Sequence, residues 1–289
     1  MAPFPLLAVL LALLPVPSAS FFHVTENFFP PEMVAKIIPD AHATSDWALG
    51  ADTLEQGKRA TMWMPRDHKP KFHIERAILA LADSVLAQFP GNKFIGYEWW
   101  VQRVPAGDVP SFHYDKDEAR SSIKRQFVFP TVSSIYYLND IGSPTLVYNL
   151  TCPDGRTRVP ERLQDGYLSY PKTNKYILFN GTWAHGVLPG AFLGSPYDGR
   201  RDTLLINFWE TMPEPPNTVH TPHDELRAEQ HDAATLAAVP MASPERAVVP
   251  ATEFDFSSAP GTVFGKFSDG GSFVNMFHYG LRLPDGPGR

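Results

Sequence analysis

The chain of 289 residues carries 25 Lys and Arg against 31 Asp and Glu, a formal net charge of -6 at pH 7. That balance excludes nucleic acid as the main partner: phosphate binding needs a concentrated basic face, and Lys124-Arg125 and Arg200-Arg201 are too short to supply one. The single cysteine, Cys152, excludes an intramolecular disulfide framework, so the fold must stand on its core.

Residues 1–20 read as a secretory signal. Leu6 to Leu14 is apolar, Pro15 and Pro17 end the run, and Ser18-Ala19-Ser20 offers small residues for cleavage. The alternative is an uncleaved anchor, but the run is too short to span a bilayer comfortably. No later segment is long and apolar enough for a membrane helix, so no stable membrane span is expected after cleavage. The end, Pro284 to Arg289, carries no recognisable retention sequence, which leaves endoplasmic-reticulum lumen and secretion both open.

Pro30-Pro31 opens a short helix expected around Glu32 to Ile38. The strongest helix runs from Lys71 to Phe89, where Ile74, Ile78, Leu81, Val85 and Phe89 make one apolar stripe. Pro90-Gly91-Asn92 stops it, and His73 is expected at its surface.

From Phe94 to Trp209 the pattern changes to short aromatic and β-branched runs between Pro, Gly, Asn and Asp. Expected strands are Ile95–Val104, Phe127–Leu138, Thr145–Tyr148, Gly166–Tyr170, Lys175–Phe179, His185–Leu188 and Thr203–Trp209. Many short strands behind one helix suggest a sandwich, barrel or jelly roll with one sheet face buttressed. Of the sequons Asn149-Leu150-Thr151 and Asn180-Gly181-Thr182, the first is the better glycan acceptor, because it lies in a turn-rich stretch away from His185. Cys152 reads as an incidental thiol ahead of an intermolecular bridge or a reactive group. Residues 216–289 read as a Pro/Ala-rich linker and tail, with a helix somewhere in Asp224 to Ala238 and an aromatic-rich end from Phe254.

Two imidazoles and one carboxylate suffice to bind one face of a ferrous ion and leave the other open. His113 and Asp115 are two apart, so on a strand both face one side. Pro105 to Pro110 delivers them, and His185 follows a buried strand through Asn180-Gly181-Thr182. Arg201, 16 positions beyond His185, opens the next strong strand. Competing readings stay open. His113 and Asp115 could belong to a solvated charge cluster with Lys116, Asp117 and Glu118, and Asp117 has the same strand parity as Asp115. Arg200 competes with Arg201, although the alternation Arg201, Thr203, Leu205, Asn207 favours the latter for an interior face. His220 and His223 read as tail residues, and Trp99, Trp100 and Trp183 mostly as core.

Phe112-His113-Tyr114-Asp115, Ser134-Ile135-Tyr136-Tyr137-Leu138-Asn139, Phe179…His185-Gly186-Val187 and Arg201…Leu204-Leu205-Ile206-Asn207-Phe208-Trp209, in that order, resemble the core of the Fe(II)/2-oxoglutarate-dependent dioxygenases, the prolyl-hydroxylase-like branch in particular. The resemblance covers roughly residues 95 to 210 and implies a mainly β, double-stranded β-helix (jelly-roll) fold with supporting N-terminal helices, occupying residues 21–215. It implies Fe(II) on His113, Asp115 and His185, with 2-oxoglutarate chelating the metal. Arg201 and Tyr137 would hold the far carboxylate, and there is room for ascorbate as a further cofactor. Together with the signal segment, it implies hydroxylation of a protein or peptide in the secretory pathway. The alternative is a secreted jelly-roll binding module without catalysis.

Overall fold

The computed structural model describes residues 21–50, 61–105, 112–155, 157, 159, 165–188, 199–214, 218–220, 229–255, 266–268 and 273–275. The signal segment and Pro110 therefore lie outside the described residues, as do Gly194 to Asp198 and His223. The elements in chain order are β1 (Phe22–Glu26), α1 (Pro31–Gly50), β2 (Thr61–Pro65), α2 (His73–Gln88), β3 (Gly96–Pro105), β4 (Val132–Tyr137), β5 (Thr145–Tyr148), β6 (Asp165–Ser169), β7 (Tyr176–Asn180), β8 (His185–Val187), β9 (Arg200–Trp209), β10 (Thr218–His220), α3 (Ala233–Ala238), β11 (Ala247–Val249), β12 (Thr252–Asp255), β13 (Lys266–Ser268) and β14 (Phe273–Asn275).

Two sheets form the body. The larger has the order β10-β2-β3-β9-β4-β7-β1-β11 and the smaller β12-β6-β5-β8; β13 and β14 form a separate hairpin. Pairing in both sheets is antiparallel except at the β10–β2 edge. The fold is mainly β and of jelly-roll type, as expected.

The larger sheet is covered on both faces. On one face α1 and α2 pack onto Met62, Tyr97, Tyr136, Leu178, Leu204 and Phe208. On the other, Ile135, Tyr137, Ile177, Phe179 and Leu205 meet Val147 and Trp183 across the inter-sheet space. Residues alternate between the two cores along β4, and every one of them is buried. Burial of both faces explains why Thr203 to Trp209 reads as a near-continuous apolar run and not as an alternation.

In α2, Ile74, Ile78, Leu81 and Val85 are fully buried, as the stripe predicts. Each contributes about 1.5–3 kcal/mol of burial, before the entropy of ordering is set against it. Glu75, in the first turn, accepts hydrogen bonds from the backbone of Lys71 (2.8 Å) and Phe72 (3.3 Å), satisfying two donors at the helix start. The first helix is longer than expected. It runs through Pro39 because Met33, Ile37, Ala41 and Thr44 continue one buried stripe against α2.

Two expectations are revised. His73 is buried, not superficial, and its ring lies 4.7 Å from that of His231. Burial is the largest cause that lowers its pKa, to about 4, so it is neutral at pH 7. The cover comes from the C-terminal segment: the His231 amide donates to the Lys71 carbonyl (2.8 Å), Arg76 donates to the carbonyls of Leu236 and Val239, and Leu236 is buried.

The described part of residues 216–289 is likewise integrated. β10 pairs with β2, β11 with β1, and β12 with β6. These are edge strands joined by backbone hydrogen bonds, and Val248 of β11 is 75% exposed. Such strands need little apolar burial and so leave no hydropathy signal. Deleting the chain beyond residue 215 is expected to lower the melting temperature by several degrees, since it uncovers the α2 start and the edges of β1 and β6. An unchanged thermal transition in the truncated protein would refute this.

No helix among the described residues is long and apolar enough to cross a membrane. Asn180 is buried, and its Oδ1 accepts from the amide and hydroxyl of Thr182, whereas Asn149 is half-buried. Asn149 is thus the less hindered of the two sequons.

Candidate metal centre

The centre is assembled by one backbone bridge. His113 pairs antiparallel with His185 of β8, each amide donating to the other's carbonyl at 2.9 and 3.0 Å. Cross-strand partners in such a pair bring their side chains together, and the two imidazole centroids are 4.5 Å apart. Gly186 permits the approach: a Cβ there would lie 2.9 Å from the Phe112 Cα and force the bridge open.

Asp115 arrives by a different route from the one expected. It is not on a strand; beyond the bridge, residues 114–117 have no regular secondary structure. The chain turns away from β8, and the Asp117 amide donates to the Val128 carbonyl instead (2.8 Å). Asp115 is positioned by the larger sheet, where the Ser133 hydroxyl of β4 donates to its Oδ2 at 2.8 Å. Its carboxylate then lies 3.5 Å from His113 Nε2 and 3.6 Å from His185 Nε2. One ligand atom from each of the three residues lies within 4.8 Å of the other two, and this is the one such group among the described residues. Asp117 is not a competitor. Its carboxylate caps the π-helical turn Arg120–Lys124 through the Arg120 amide and holds the Glu214 amide.

The electrostatics suit a cation. Asp115 is 8% exposed and His185 3%. Burial opposes ionisation of Asp115, but His185, His113 and the Ser133 hydrogen bond outweigh it and hold the carboxyl below its usual range. Burial lowers the His185 pKa to about 4, partly offset by the Asp115 charge. At neutral pH the pair is therefore an ionised carboxylate and a neutral imidazole, the forms that bind metals. His185 Nδ1 is 3.2 Å from the Trp183 carbonyl, which can only accept, so Nδ1 carries the proton and Nε2 presents its lone pair. That Nε2 is buried without a hydrogen-bond partner. An orphaned lone pair beside a carboxylate and a second imidazole fits a divalent transition metal with nitrogen and oxygen ligands.

Along the same inter-sheet space, Phe179 packs against the His185 ring at 4.9 Å, and Tyr137 lies in the same apolar cluster. Arg201 is 3% exposed, with its guanidinium carbon 5.4 Å from the Tyr137 ring centroid. It donates to Thr145 Oγ1 at 2.8 Å and weakly to Thr203 Oγ1, while its Nε has no partner. The Tyr137 hydroxyl meets the same Thr145 oxygen at 2.9 Å and donates towards the Ser169 carbonyl at 3.1 Å. Among the described residues no carboxylate pairs with Arg201. Gly142, at φ +104°, lies against the Arg201 stem, where a Cβ would come within 2.9 Å. Arg200 points the other way: it is exposed and donates to the Arg103 carbonyl. The alternation along β9 thus distinguishes the two arginines.

Ser133 and Thr145 did not stand out in the sequence. Ser133 shares strand parity with Ile135 and Tyr137, which was its one available signal. Trp99 and Trp183 are core residues, as expected, and Trp100 is partly buried. His220 sits on edge strand β10. Ser133→Ala is expected to weaken metal binding roughly 10- to 100-fold without unfolding the protein, because it frees the carboxylate to rotate. Unchanged affinity in a metal titration would show that Asp115 needs no such support.

No protein-family model matches the chain, and no curated protein matches it. Similar solved structures include a prolyl-4-hydroxylase from Pseudomonas putida, at 17% identity and TM-score 0.42, covering 68% of this chain and 90% of that one. EctD from S. alaskensis has 16% identity and TM-score 0.44 over 73% of this chain and 81% of that one. HygX from Streptomyces hygroscopicus, solved with nickel and 2-oxoglutarate bound, has 16% identity and TM-score 0.38 over 74% and 93%.

Proposed function

We propose that this chain is an Fe(II)- and 2-oxoglutarate-dependent oxygenase. One observation carries the reading: a His113–Asp115–His185 cluster shares its inter-sheet interior with a buried arginine, Arg201, that has no carboxylate partner among the described residues. A buried cation without a counter-ion is costly, so the pocket is built for an anion that arrives with the reaction.

His113, Asp115 and His185 would hold the metal from one side. Fe(II) with 2-oxoglutarate and dioxygen supplies the oxidising power to hydroxylate a carbon, the co-substrate leaving as succinate and carbon dioxide. The chain's own groups orient and shield. Ser133 fixes the carboxylate, and the Trp183 carbonyl fixes the His185 tautomer. Arg201, supported by Thr145 and Tyr137, would receive the far carboxylate as a planar fork. The side chain of His113 is 31% exposed against 4% for His185, so the cluster opens to solvent on the His113 side, where a substrate would enter.

The apolar segment at Leu6 to Leu14 and the sequence resemblance support a further step, that the substrate is a protein or peptide of the secretory pathway. The test is succinate release from 2-oxoglutarate with Fe(II), followed by mass spectrometry of lumenal polypeptides for a mass gain of one oxygen. No metal-dependent succinate with any polypeptide or small molecule would leave the jelly roll as a binding module. Turnover confined to small molecules would remove the polypeptide assignment alone.

A further inference from the structure

The start of α2 is a crowded electrostatic junction, on the face of the larger sheet away from the metal cluster. His73 is 2% exposed, and its Nδ1 is buried without a hydrogen-bond partner among the described residues. The ring of His231 lies 4.7 Å away, brought there by the backbone bond from the His231 amide to the Lys71 carbonyl (2.8 Å). The elements packed at this point bring further titratable groups. α1 contributes Lys36 and Asp40, whose carboxylate accepts from the Ile74 amide at 3.1 Å. α2 contributes Glu75 and Arg76, and the chain before it His68, paired with Glu75 at 3.1 Å. The C-terminal segment adds Glu229 beside His231.

The segment that covers His73 is lightly held. Among the residues of α3, Leu236 alone is buried, and Val239 packs in part against the core. Arg76 adds its hydrogen bonds to the carbonyls of Leu236 and Val239. Downstream the chain is fixed independently: β11 pairs with β1, and the Arg246 guanidinium carbon lies 3.8 Å from the Phe28 ring centroid.

We propose that residues 229–239 are an acid-released cover: protonation of the buried His73 imidazole drives them off the start of α2, while β11 and the two sheets stay in place. A cation at His73 would be desolvated and would meet Lys36, Arg76 and His231. The carboxylates that could offset it are engaged, Asp40 by the Ile74 amide and Glu75 by the amides of Lys71 and Phe72. The sign follows from linkage. Burial, with His231, Lys36 and Arg76 adding to it and Glu229 opposing, holds the covered His73 at about 4, against 6.5 for an ordinary histidine. The uncovered form therefore binds more protons between those values, and the cover weakens as pH falls from 6.5 towards 4. Asp40 acts with the opposite sign: burial raises its pKa, so acid favours its covered form.

The test is hydrogen exchange of the full chain at pH 7 and pH 5, with each amide corrected for the intrinsic pH dependence of exchange. Protection of the His231 and Leu236 amides is expected to fall by up to about twentyfold between the two, while the α2 amides of Leu81 and Val85 keep theirs. His73→Phe and His73→Gln cannot take the proton, so neither should show the fall, although Asp40 remains in both. Flat protection in the wild type, or the same fall in either variant, overturns the proposal. So does parallel loss at Leu81 and Val85, which would make the acid effect global. The His73 ring resonance of the wild-type protein gives a reading that needs no variant. A titration midpoint near the ordinary 6.5 in the closed protein would refute the buried neutral imidazole, and release with it.

Discussion

His185→Ala is expected to reduce metal affinity by more than about a hundredfold, beyond the loss typical of residues that merely support a ligand. The fold should survive. His185 contributes an Nε2 that is buried and unpartnered without metal, so removing the ring discards a desolvated polar atom along with some packing against Phe179. The β8 bridge to His113 is made by backbone groups and does not depend on the side chain. Metal titration followed by spectroscopy, with circular dichroism and thermal melting alongside, separates the outcomes. A protein that no longer folds would make His185 a core residue. Retained metal affinity would remove the cluster as a metal centre.

Arg201→Ala should raise the 2-oxoglutarate requirement on the order of 100-fold while leaving metal affinity nearly unchanged, since two charge-assisted hydrogen bonds are lost and no ligand is. Arg201→Lys should recover part of the loss, because the charge returns without the fork. Arg200→Ala should have no effect, as Arg200 is exposed and held by the Arg103 carbonyl. A stability measurement adds an independent arm. Among the described residues no carboxylate pairs with the buried Arg201, so Arg201→Met should leave the ligand-free protein as stable as wild type or more so. Marked destabilisation of Arg201→Met would show that the guanidinium serves the fold. A change in 2-oxoglutarate affinity with Arg200 and none with Arg201 would reverse the assignment between them.

Both expectations depend on features of different legibility. The strands from Gly96 to Trp209 stood out in sequence to within a few residues, apart from the start of β4, because each is a short run rich in apolar, aromatic or β-branched residues bounded by turn chemistry. The stripe of α2 stood out because four of its positions face one core. β1, β2 and the edge strands β10 to β12 did not. The edge strands are three or four residues long and depend largely on backbone pairing, which hydropathy does not register. His73 was misplaced for a related reason: a segment more than 150 positions away folds back to cover it.

The local order of residue types determined the mainly β class and the order His113, Asp115, His185, Arg201. Strand parity on β9 also favoured Arg201 over Arg200, since a period of two depends on nothing outside the strand. Tertiary structure decided the rest. His113 and His185 meet through a bridge across 72 positions, and Asp115 is held by Ser133 from the opposing sheet, not by strand parity with His113. Tyr137, Thr145 and Arg201 come together only when β4, β5 and β9 close around one interior. Side-chain convergence from three strands is set by long-range register, and no local pattern in the chain encodes it.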